Sequence, residues 1–393
     1  MAQKAYYEGP FVKRFNAKVI SKRPEGEMTC IALDRTYFYP ESGGQPNDTG
    51  RIDGKNVVNV VIDKDEIYHF IKGDVRDLNV ECEIDWERRM DNMQQHTGQH
   101  ILSQAIYKVL GKESESLHIG RATSSIDIES GEITQRELDE IERIANGAVM
   151  EDIHIKSYFV DSTDGMDLRK DTQIEKNIRI VDIEGYDRTP CGGTHLDSTG
   201  KVGPIKIVKC FKKGKYQRIE FVCGWRCLDL MGEQMVLQKS LSNLLMVPPE
   251  EVLGKVNELA SERKELSKRN KELEEELLEK RAYELIENAE VCGTIKVICS
   301  VMDDPSLVQH ISKTIPQMKG VASFLAFRTE KGATLMYSSS KDSGIDAGAL
   351  LKDSLEILKG KGGGGKNFAS GSCVDTKGLE DELHRIVGII MGN

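Results

Sequence analysis

The chain has 393 residues, which is too long for one typical domain and predicts two to four domains. Its hydrophobic fraction of 39% is sufficient for folded cores, and its charged fraction of 30% predicts at least one highly exposed helix. The net charge of −10 argues against nucleic-acid binding over the whole surface, so any contact with a polyanion has to be local. No apolar run reaches the ~20 residues of a membrane span, and the first residues lack the apolar core of a signal peptide. The nine cysteines are odd in number and widely spread, which excludes a secreted disulfide framework. We therefore expect a soluble, cytoplasmic protein without a membrane partner.

Residues 1–85 predict a small β-barrel. The runs AKVIS, MTCIAL, VVNVVI and NVECEID are short, rich in β-branched residues, and separated by Gly, Pro and Asp. This composition is typical of short strands joined by turns.

Residues 86–240 predict an α+β domain. The pattern becomes helical from Trp86 to about Leu110, and Gly111 is the expected C-terminal stop. Thr134 and Glu137 have the spacing of a capping box, which predicts the start of a second helix. Strand-like runs such as IRIVDI and RIEFVC follow.

Residues 241–290 predict a helical coiled-coil linker. Leu259, Leu266 and Leu273 recur every seven residues, which is the period of a coiled-coil seam. Two uses of this segment stay open, namely a homodimer contact, and a single solvated helix or an intramolecular hairpin.

Residues 291–393 predict a compact α/β domain with one glycine-rich loop, KGKGGGGKNFASGS. This domain is a second candidate for a homodimer contact. The predicted fold class is thus α+β multidomain, with a barrel, an α+β domain, a linker and an α/β domain.

Two short windows contain residue types that bind metals. HTGQH places His96 and His100 four residues apart in the predicted helix, so both imidazoles share one face. CGGTH places Cys191 and His195 four residues apart around a glycine bend. Together, His and Cys suit a borderline-soft divalent ion, for which zinc is the common choice. The residues alone leave the alternative open, because an H-x-x-x-H pair on a helix is often two surface histidines.

Four motifs occur in one order along the chain. They are YPESGGQPNDTG at 39–50, QQHTGQHILSQAIYKVLG at 94–111, PCGGTHLDSTGKVGPIKI at 190–207, and KGGGGKNFASG at 361–371. Together they resemble the editing half of alanyl-tRNA synthetase. The chain is most similar to the freestanding alanyl-tRNA editing proteins of the AlaX type in their long form, which adds a helical linker and a C-terminal domain also found on DHH phosphoesterases. The resemblance covers nearly the whole chain.

The resemblance implies one zinc ion per chain. The implied zinc ligands are His96, His100, Cys191 and His195.

The resemblance also assigns roles around the zinc. Gly43, Gly44 and Gln45 are implied to contact the substrate, and Thr36 is similar to the hydroxyl residue that senses a seryl side chain. The residues with implied catalytic roles are His96, His100 and Gln45.

Two segments are expected to contact tRNA. The first is basic and contains Lys209, Lys212, Lys213 and Lys215. The second is the glycine run with its lysine, which is Gly362, Gly363, Gly364, Gly365 and Lys366. The alternatives are a solvated hairpin for the first segment and a flexible linker for the second.

The implied function is the trans-editing of mischarged tRNA(Ala). A pocket for alanine cannot exclude glycine by size and rejects serine only about a hundredfold, so a second, hydrolytic site is needed. The expected reaction is hydrolysis of Ser-tRNA(Ala), with Gly-tRNA(Ala) as a further substrate. The alternative is a non-catalytic tRNA-binding protein with a structural zinc. A phosphoesterase ranks last because the sequence contains no Asp-His-His motif. No class II synthetase core is evident, so amino-acid activation is not expected.

Overall fold

The structure is a computed structural model that describes residues 2–174, 176–374 and 376–392. The chain forms two compact units, Met1–Leu244 and Leu245–Asn393. Each unit combines helices with β-sheet, so the predicted α+β multidomain class is confirmed. The finer division into four segments stays a prediction. Within the described ranges, none of the helices combines the length and the apolar character that a membrane span requires.

The first unit begins with strands and ends with a helix. Its strands and helices, in chain order, are β1 (Gln3–Lys4), β2 (Arg14–Glu25), β3 (Met28–Leu33), β4 (Arg35–Thr36), β5 (Gly50–Ile52), β6 (Lys55–Asp63), β7 (Glu66–Lys72), β8 (Asn79–Ile84), α1 (Trp86–Leu110), β9 (Ser114–Ile119), β10 (Ser124–Ile128), α2 (Gln135–Met150), β11 (Ile155–Val160), β12 (Ile178–Ile183), β13 (Asp187–Pro190), β14 (Ile205–Lys213), β15 (Tyr216–Cys223) and α3 (Trp225–Leu245).

Six strands of the first unit close into a barrel in the order β2-β3-β7-β6-β5-β8. Successive side chains of a strand point to opposite faces, and Phe15, Ala17 and Val19 of β2 are accordingly buried in the barrel core with Ile31 and Leu33 of β3. Residues 37–49 join β4 to β5, and we call them the barrel segment. This segment contacts α1 through Arg88 and Arg89.

Helix α1 starts and ends where local signals predict. The side chain of Asp85 caps its first turn by accepting a hydrogen bond from the amide of Arg88, and Gly111 ends it in the left-handed conformation. Every residue from Asn92 to Ser103 is buried, although many of them are polar. The helix is therefore enclosed by protein, and its polar side chains need protein partners.

The rest of the first unit packs two sheets and α2 around α1. The order of the larger sheet is β14-β15-β10-β9 and that of the smaller is β11-β12-β13. Helix α2 opens with the predicted capping box between Thr134 and Glu137. Ile101, Ile126 and Phe221 belong to the shared core.

The second unit contains a long helix and one six-stranded sheet in the order β16-β17-β18-β19-β21-β20. Its elements are α4 (Val252–Glu287), β16 (Glu290–Cys292), β17 (Ile295–Val301), α5 (Pro305–Thr314), β18 (Val321–Thr329), β19 (Gly332–Ser339), α6 (Ala347–Ile357), β20 (Lys361–Gly365), β21 (Phe368–Cys373) and α7 (Leu379–Met391). On α4, the heptad residues Leu259, Leu266 and Leu273 are all exposed.

The predicted glycine-rich loop is wrong, and so is its flexible-linker alternative. The glycine run is strand β20, which pairs antiparallel with β21. Side chains at Gly362 and Gly364 would overlap the backbone of β21, so glycine permits the close approach of the two strands. Composition alone does not distinguish this use of glycine from a loop.

Candidate metal centre

Four side chains from two distant segments meet at one point in the first unit. His96 and His100 lie one turn apart on α1, while Cys191 and His195 lie in the segment that follows β13. Their ligand atoms all lie within 4.8 Å of one another. Sγ of Cys191 is 3.3 Å from Nε2 of His96 and 3.2 Å from Nε2 of His195. Separations of this size suit one ion with bonds of about 2.0–2.3 Å, so this His/Cys cluster can hold a metal ion.

The ring of His96 is oriented by Gln45 from the barrel segment. Nδ1 of His96 lies 2.8 Å from Oε1 of Gln45. The same oxygen accepts a hydrogen bond from the amide of Thr194 at 3.1 Å, and Nε2 of Gln45 donates to the Thr194 hydroxyl at 2.8 Å. With Nδ1 engaged in this way, Nε2 of His96 is the nitrogen that faces the cluster.

The ring of His100 is oriented by a buried carboxylate. Its Nδ1 lies 3.2 Å from Oδ2 of Asp187. Asp187 also accepts hydrogen bonds from Arg169 at 2.7 Å and from the hydroxyl of Thr189 at 3.0 Å. A carboxylate behind a ligating histidine fixes its tautomer and raises its basicity.

The ring of His195 is held by Thr97, which follows His96 on α1. Nδ1 of His195 lies 3.2 Å from the hydroxyl of Thr97, which also accepts a hydrogen bond from the amide of Leu196 at 3.2 Å. All three imidazoles therefore use Nδ1 for a protein partner.

The charges of the cluster favour a thiolate. Burial opposes ionisation of Cys191, but the three imidazoles around it outweigh burial and hold the pKa of the thiol well below its usual range. Burial is also the main cause that lowers the pKa of His195 to about 3, so this ring is neutral. Burial opposes protonation of His100 as well, yet the Cys191 thiolate and Asp187 raise its pKa to about 9. A divalent metal needs the thiolate and neutral imidazoles, so its binding would release the proton that His100 holds in the metal-free cluster.

Glycine is required at one position in each metal-binding window. A side chain at Gly193 would overlap the ring of His96, and one at Gly98 would overlap Sγ of Cys223. At Gly192, by contrast, a Cβ would make only an ordinary contact with the hydroxyl of Tyr7 at 3.5 Å.

A buried ion pair fixes the barrel segment to α1. Arg89 of α1 and Asp48 of the barrel segment are both 0% exposed and form a salt bridge. Arg89 also donates to the carbonyl of Pro10 at 2.8 Å. Sequence reasoning missed this pair because its members are 41 positions apart and no local motif joins them. Asp48 contacts Arg89, and Gln45 contacts His96. We call these two contacts together the polar junction.

Two glycines of the barrel segment lie near the cluster. Gly43 lines a cleft of about 240 Å³ together with His96, His100 and Cys191. Gly44 has a φ of +84°, and a side chain there would overlap the carbonyl of Leu117.

The structure places Thr36 inside the barrel and not along this cleft. Its hydroxyl is fully buried, lies 2.9 Å from Nε2 of His69, and accepts a hydrogen bond from the amide of Phe38 at 3.1 Å. The predicted seryl-sensing role of Thr36 stays a prediction.

The four candidate lysines lie on one antiparallel hairpin, β14–β15, which we call the lysine hairpin. Lys209 lies over the ring of Phe211 at 4.8 Å, and Lys215 pairs with Glu129 at 2.9 Å. Lys212 and Lys213 are exposed near the tip. The other candidates, Gly362 to Lys366, belong to the second unit.

Two family models match parts of the first unit, and one of them includes Cys191 and His195. Residues 178–220 match the family described as the threonyl and alanyl tRNA synthetase second additional domain, and residues 6–88 match class II (A) tRNA synthetases. The chain is 33% identical to the alanyl-tRNA editing protein AlaX-L of Pyrococcus horikoshii, with 94% of each chain covered. It is also 32% identical to the alanine–tRNA ligase of Methanopyrus kandleri and 31% identical to that of Pyrococcus abyssi. The alignments cover 99% and 98% of this chain but only 44% and 43% of the two ligases.

Proposed function

Because the chain belongs to the AlaX-L family of alanyl-tRNA editing proteins, we propose that it hydrolyses the ester bond of mischarged tRNA(Ala). The proposed substrate is Ser-tRNA(Ala), with Gly-tRNA(Ala) as a second target, and the proposed ion is a single zinc. The observation that carries the proposal is the convergence of His96, His100, Cys191 and His195 beside a cleft.

The donor set is suited to zinc, since one thiolate and three imidazoles are borderline-soft ligands. When bound, a zinc ion lowers the pKa of a coordinated water or polarises a substrate carbonyl. The residues of the chain hold the ligands in place. Gln45 orients His96, Asp187 orients His100, and Thr97 orients His195. Because Oε1 of Gln45 contacts His96 and the amide of Thr194, and its Nε2 donates to the Thr194 hydroxyl, we assign it a positioning role.

A seryl side chain would have to compete for the hydroxyl of Thr36. That hydroxyl already bonds His69 and the amide of Phe38. A site that hydrogen-bonds a serine hydroxyl rejects alanine by up to ~10⁴–10⁵-fold, because its polar groups are left unpaired when alanine enters. Parallel assays of seryl, glycyl and alanyl esters on tRNA(Ala) measure how far this discrimination goes.

The decisive experiment is deacylation of charged tRNA by the purified chain. We expect rapid release of serine by the wild type, and loss of activity in His96→Ala and Cys191→Ala. His384 is exposed on α7, so His384→Ala serves as a histidine control and should retain activity. If Ser-tRNA(Ala) is deacylated no faster with the protein than in buffer alone, the proposal fails.

A second candidate function is tRNA binding with a structural zinc and no turnover. It is favoured by the closed donor set, because four protein ligands leave a tetrahedral ion no open position. The two candidates differ in one result. The structural candidate predicts tRNA affinity and metal content without hydrolysis, whereas the editing hydrolase predicts all three.

We further propose that α4 pairs with α4 of a second copy through its heptad residues. Leu259, Leu266 and Leu273 are 42%, 69% and 45% exposed, respectively, in the single chain. Sedimentation of the wild type and of Leu266→Lys tests the pairing, since a charge in the seam should shift a dimer towards monomer.

A further inference from the structure

A second cleft borders the segment that carries Cys191. Its volume is about 630 Å³. It shares Thr172, Pro190 and Cys191 with the cleft at the His/Cys cluster. A ligand that occupies both clefts therefore passes Cys191.

Two aromatic rings form a corner of this second cleft. The centroids of Tyr7 and Phe159 are 5.7 Å apart, and the rings are nearly perpendicular at 77°. Phe159 is 48% exposed, so part of its ring is free to contact a ligand. Exposed aromatic faces of this kind stack on nucleobases, because every base has a π-face.

A buried cation lies behind the same corner. Arg179 is only 7% exposed, and its guanidinium lies 4.9 Å from the centre of the Tyr7 ring. Its Nη1 donates to the carbonyls of Cys191 at 2.8 Å and Gly193 at 2.9 Å. Within the described residues, only Nη1 of Arg179 donates a hydrogen bond to the protein and no carboxylate pairs with the guanidinium, whereas Nε and Nη2 are not sealed from solvent. Arg179 also lines the second cleft. A guanidinium with solvent-accessible N–H groups at a cleft can bind an oxygen-rich anionic ligand through charge-assisted hydrogen bonds.

We propose that this cleft binds the terminal nucleotide of the aminoacylated RNA. The base stacks on Phe159 against Tyr7, and a sugar–phosphate oxygen accepts a hydrogen bond from Arg179. The aminoacyl ester then extends past Cys191 into the cleft at the His/Cys cluster. The inference rests on the proposed function, because it takes its ligand from that reaction.

A stable amide analogue tests the stacking. The probe is 3′-serylamido-3′-deoxyadenosine 5′-monophosphate, titrated calorimetrically into the full chain. Phe159→Ala should weaken its binding by about 5- to 100-fold, the range that loss of one base–aromatic stack produces. Phe159→Tyr keeps the ring and should bind like the wild type. Tyr107→Ala removes an aromatic ring of similar exposure, 46%, from α1 and should change nothing. If Phe159→Ala binds like the wild type, or if the wild type does not bind the probe, the assignment is overturned.

The same analogue without its 5′-phosphate tests the role of Arg179. We expect the phosphorylated form to bind more tightly, with an advantage that shrinks as the salt concentration rises. Equal affinity of the two forms would overturn the contact between phosphate and Arg179.

The two proposals fail in different ways. A wild type that binds the analogue through Phe159 but leaves charged tRNA intact refutes the hydrolase and supports the nucleotide cleft. A Phe159→Ala variant that hydrolyses charged tRNA with an unchanged KM refutes the cleft and supports the hydrolase.

Discussion

The polar junction and the lysine hairpin belong to the same unit, and both are rich in polar residues, yet they differ in how those residues are paired. In the junction, Arg89 and Asp48 are fully buried and bonded to each other. On the hairpin, Lys215 pairs with Glu129 at the surface, where both side chains are more than half exposed. Burial removes water as an alternative partner, so a lost contact is costly in the junction and cheap on the hairpin. Convergence in the interior supports a specific site, whereas clustered surface charge supports only an electrostatic one.

The largest expected effect is on the buried ion pair. Asp48→Ala leaves the Arg89 guanidinium buried without its carboxylate, and we expect the free energy of unfolding to fall by about 3–5 kcal/mol. Urea denaturation followed by circular dichroism measures the change. Glu129→Ala breaks the surface pair with Lys215 and should leave the urea midpoint unchanged. Equal midpoints for both variants would remove the contrast between the two regions.

A second large effect is expected from a buried histidine of the barrel. Burial lowers the pKa of His69 from 6.5 to about 4. Between these values the unfolded chain binds the proton and the folded chain does not, so protonation favours unfolding. The contribution of neutral His69 to the free energy of unfolding is fully present above pH 6.5. It is lost as the pH falls from 6.5 to about 4, and below that pH it does not change further. A shift of this size corresponds to roughly 3 kcal/mol.

Substitution of His69 tests this pH dependence. His69→Gln does not titrate and keeps an acceptor for Thr36, so its free energy of unfolding should fall less than that of the wild type between pH 7 and pH 4. His384→Gln on the exposed face of α7 should retain the wild-type slope. Identical slopes in the wild type and His69→Gln would contradict the assigned burial effect.

A moderate effect is expected at the metal-binding loop. A methyl group at Gly193 would overlap the ring of His96, so Gly193→Ala should displace that ring from Gln45. Disturbing the partners of a metal ligand typically costs 10–100-fold in metal affinity. Competition with a chromophoric zinc chelator measures this loss. Gly192→Ala is the matched control, because its methyl group meets only the Tyr7 hydroxyl at 3.5 Å. Equal zinc affinity of the two variants would mean that the loop adjusts without cost.

The sequence predicts those parts of the site that are encoded locally. The helical pattern from Trp86 and the stop at Gly111 are local features, and both predictions agree with the bounds of α1. The ligand types within HTGQH and CGGTH are likewise short-range information. The partners that orient the ligands are not, since Thr97 and His195 are 98 positions apart and His100 and Asp187 are 87 apart.

The glycine run shows a different limit. A glycine-rich composition is shared by loops and by strands that approach each other closely. Composition therefore predicts a loop at Gly362 and Gly364, whereas both residues belong to strand β20. Only the position of β21 reveals that these residues lack side chains for steric reasons.

The smallest effect is expected on the lysine hairpin, and it concerns tRNA affinity instead of stability. If Lys212 and Lys213 contact phosphates, each contact releases counterions when tRNA binds. The double variant Lys212→Ala/Lys213→Ala should lower the slope of log affinity against log salt by about 1–2, at roughly 0.7–0.9 per contact. Filter binding of tRNA(Ala) between about 50 and 200 mM salt measures the slope. Because both side chains are exposed, the urea midpoint and the zinc content should stay at their wild-type values. Lys268→Ala on α4, where the side chain is 82% exposed, controls for the loss of a surface charge. An unchanged slope in the double variant would leave the lysine hairpin as a solvated surface, and tRNA binding would then have to depend on other residues.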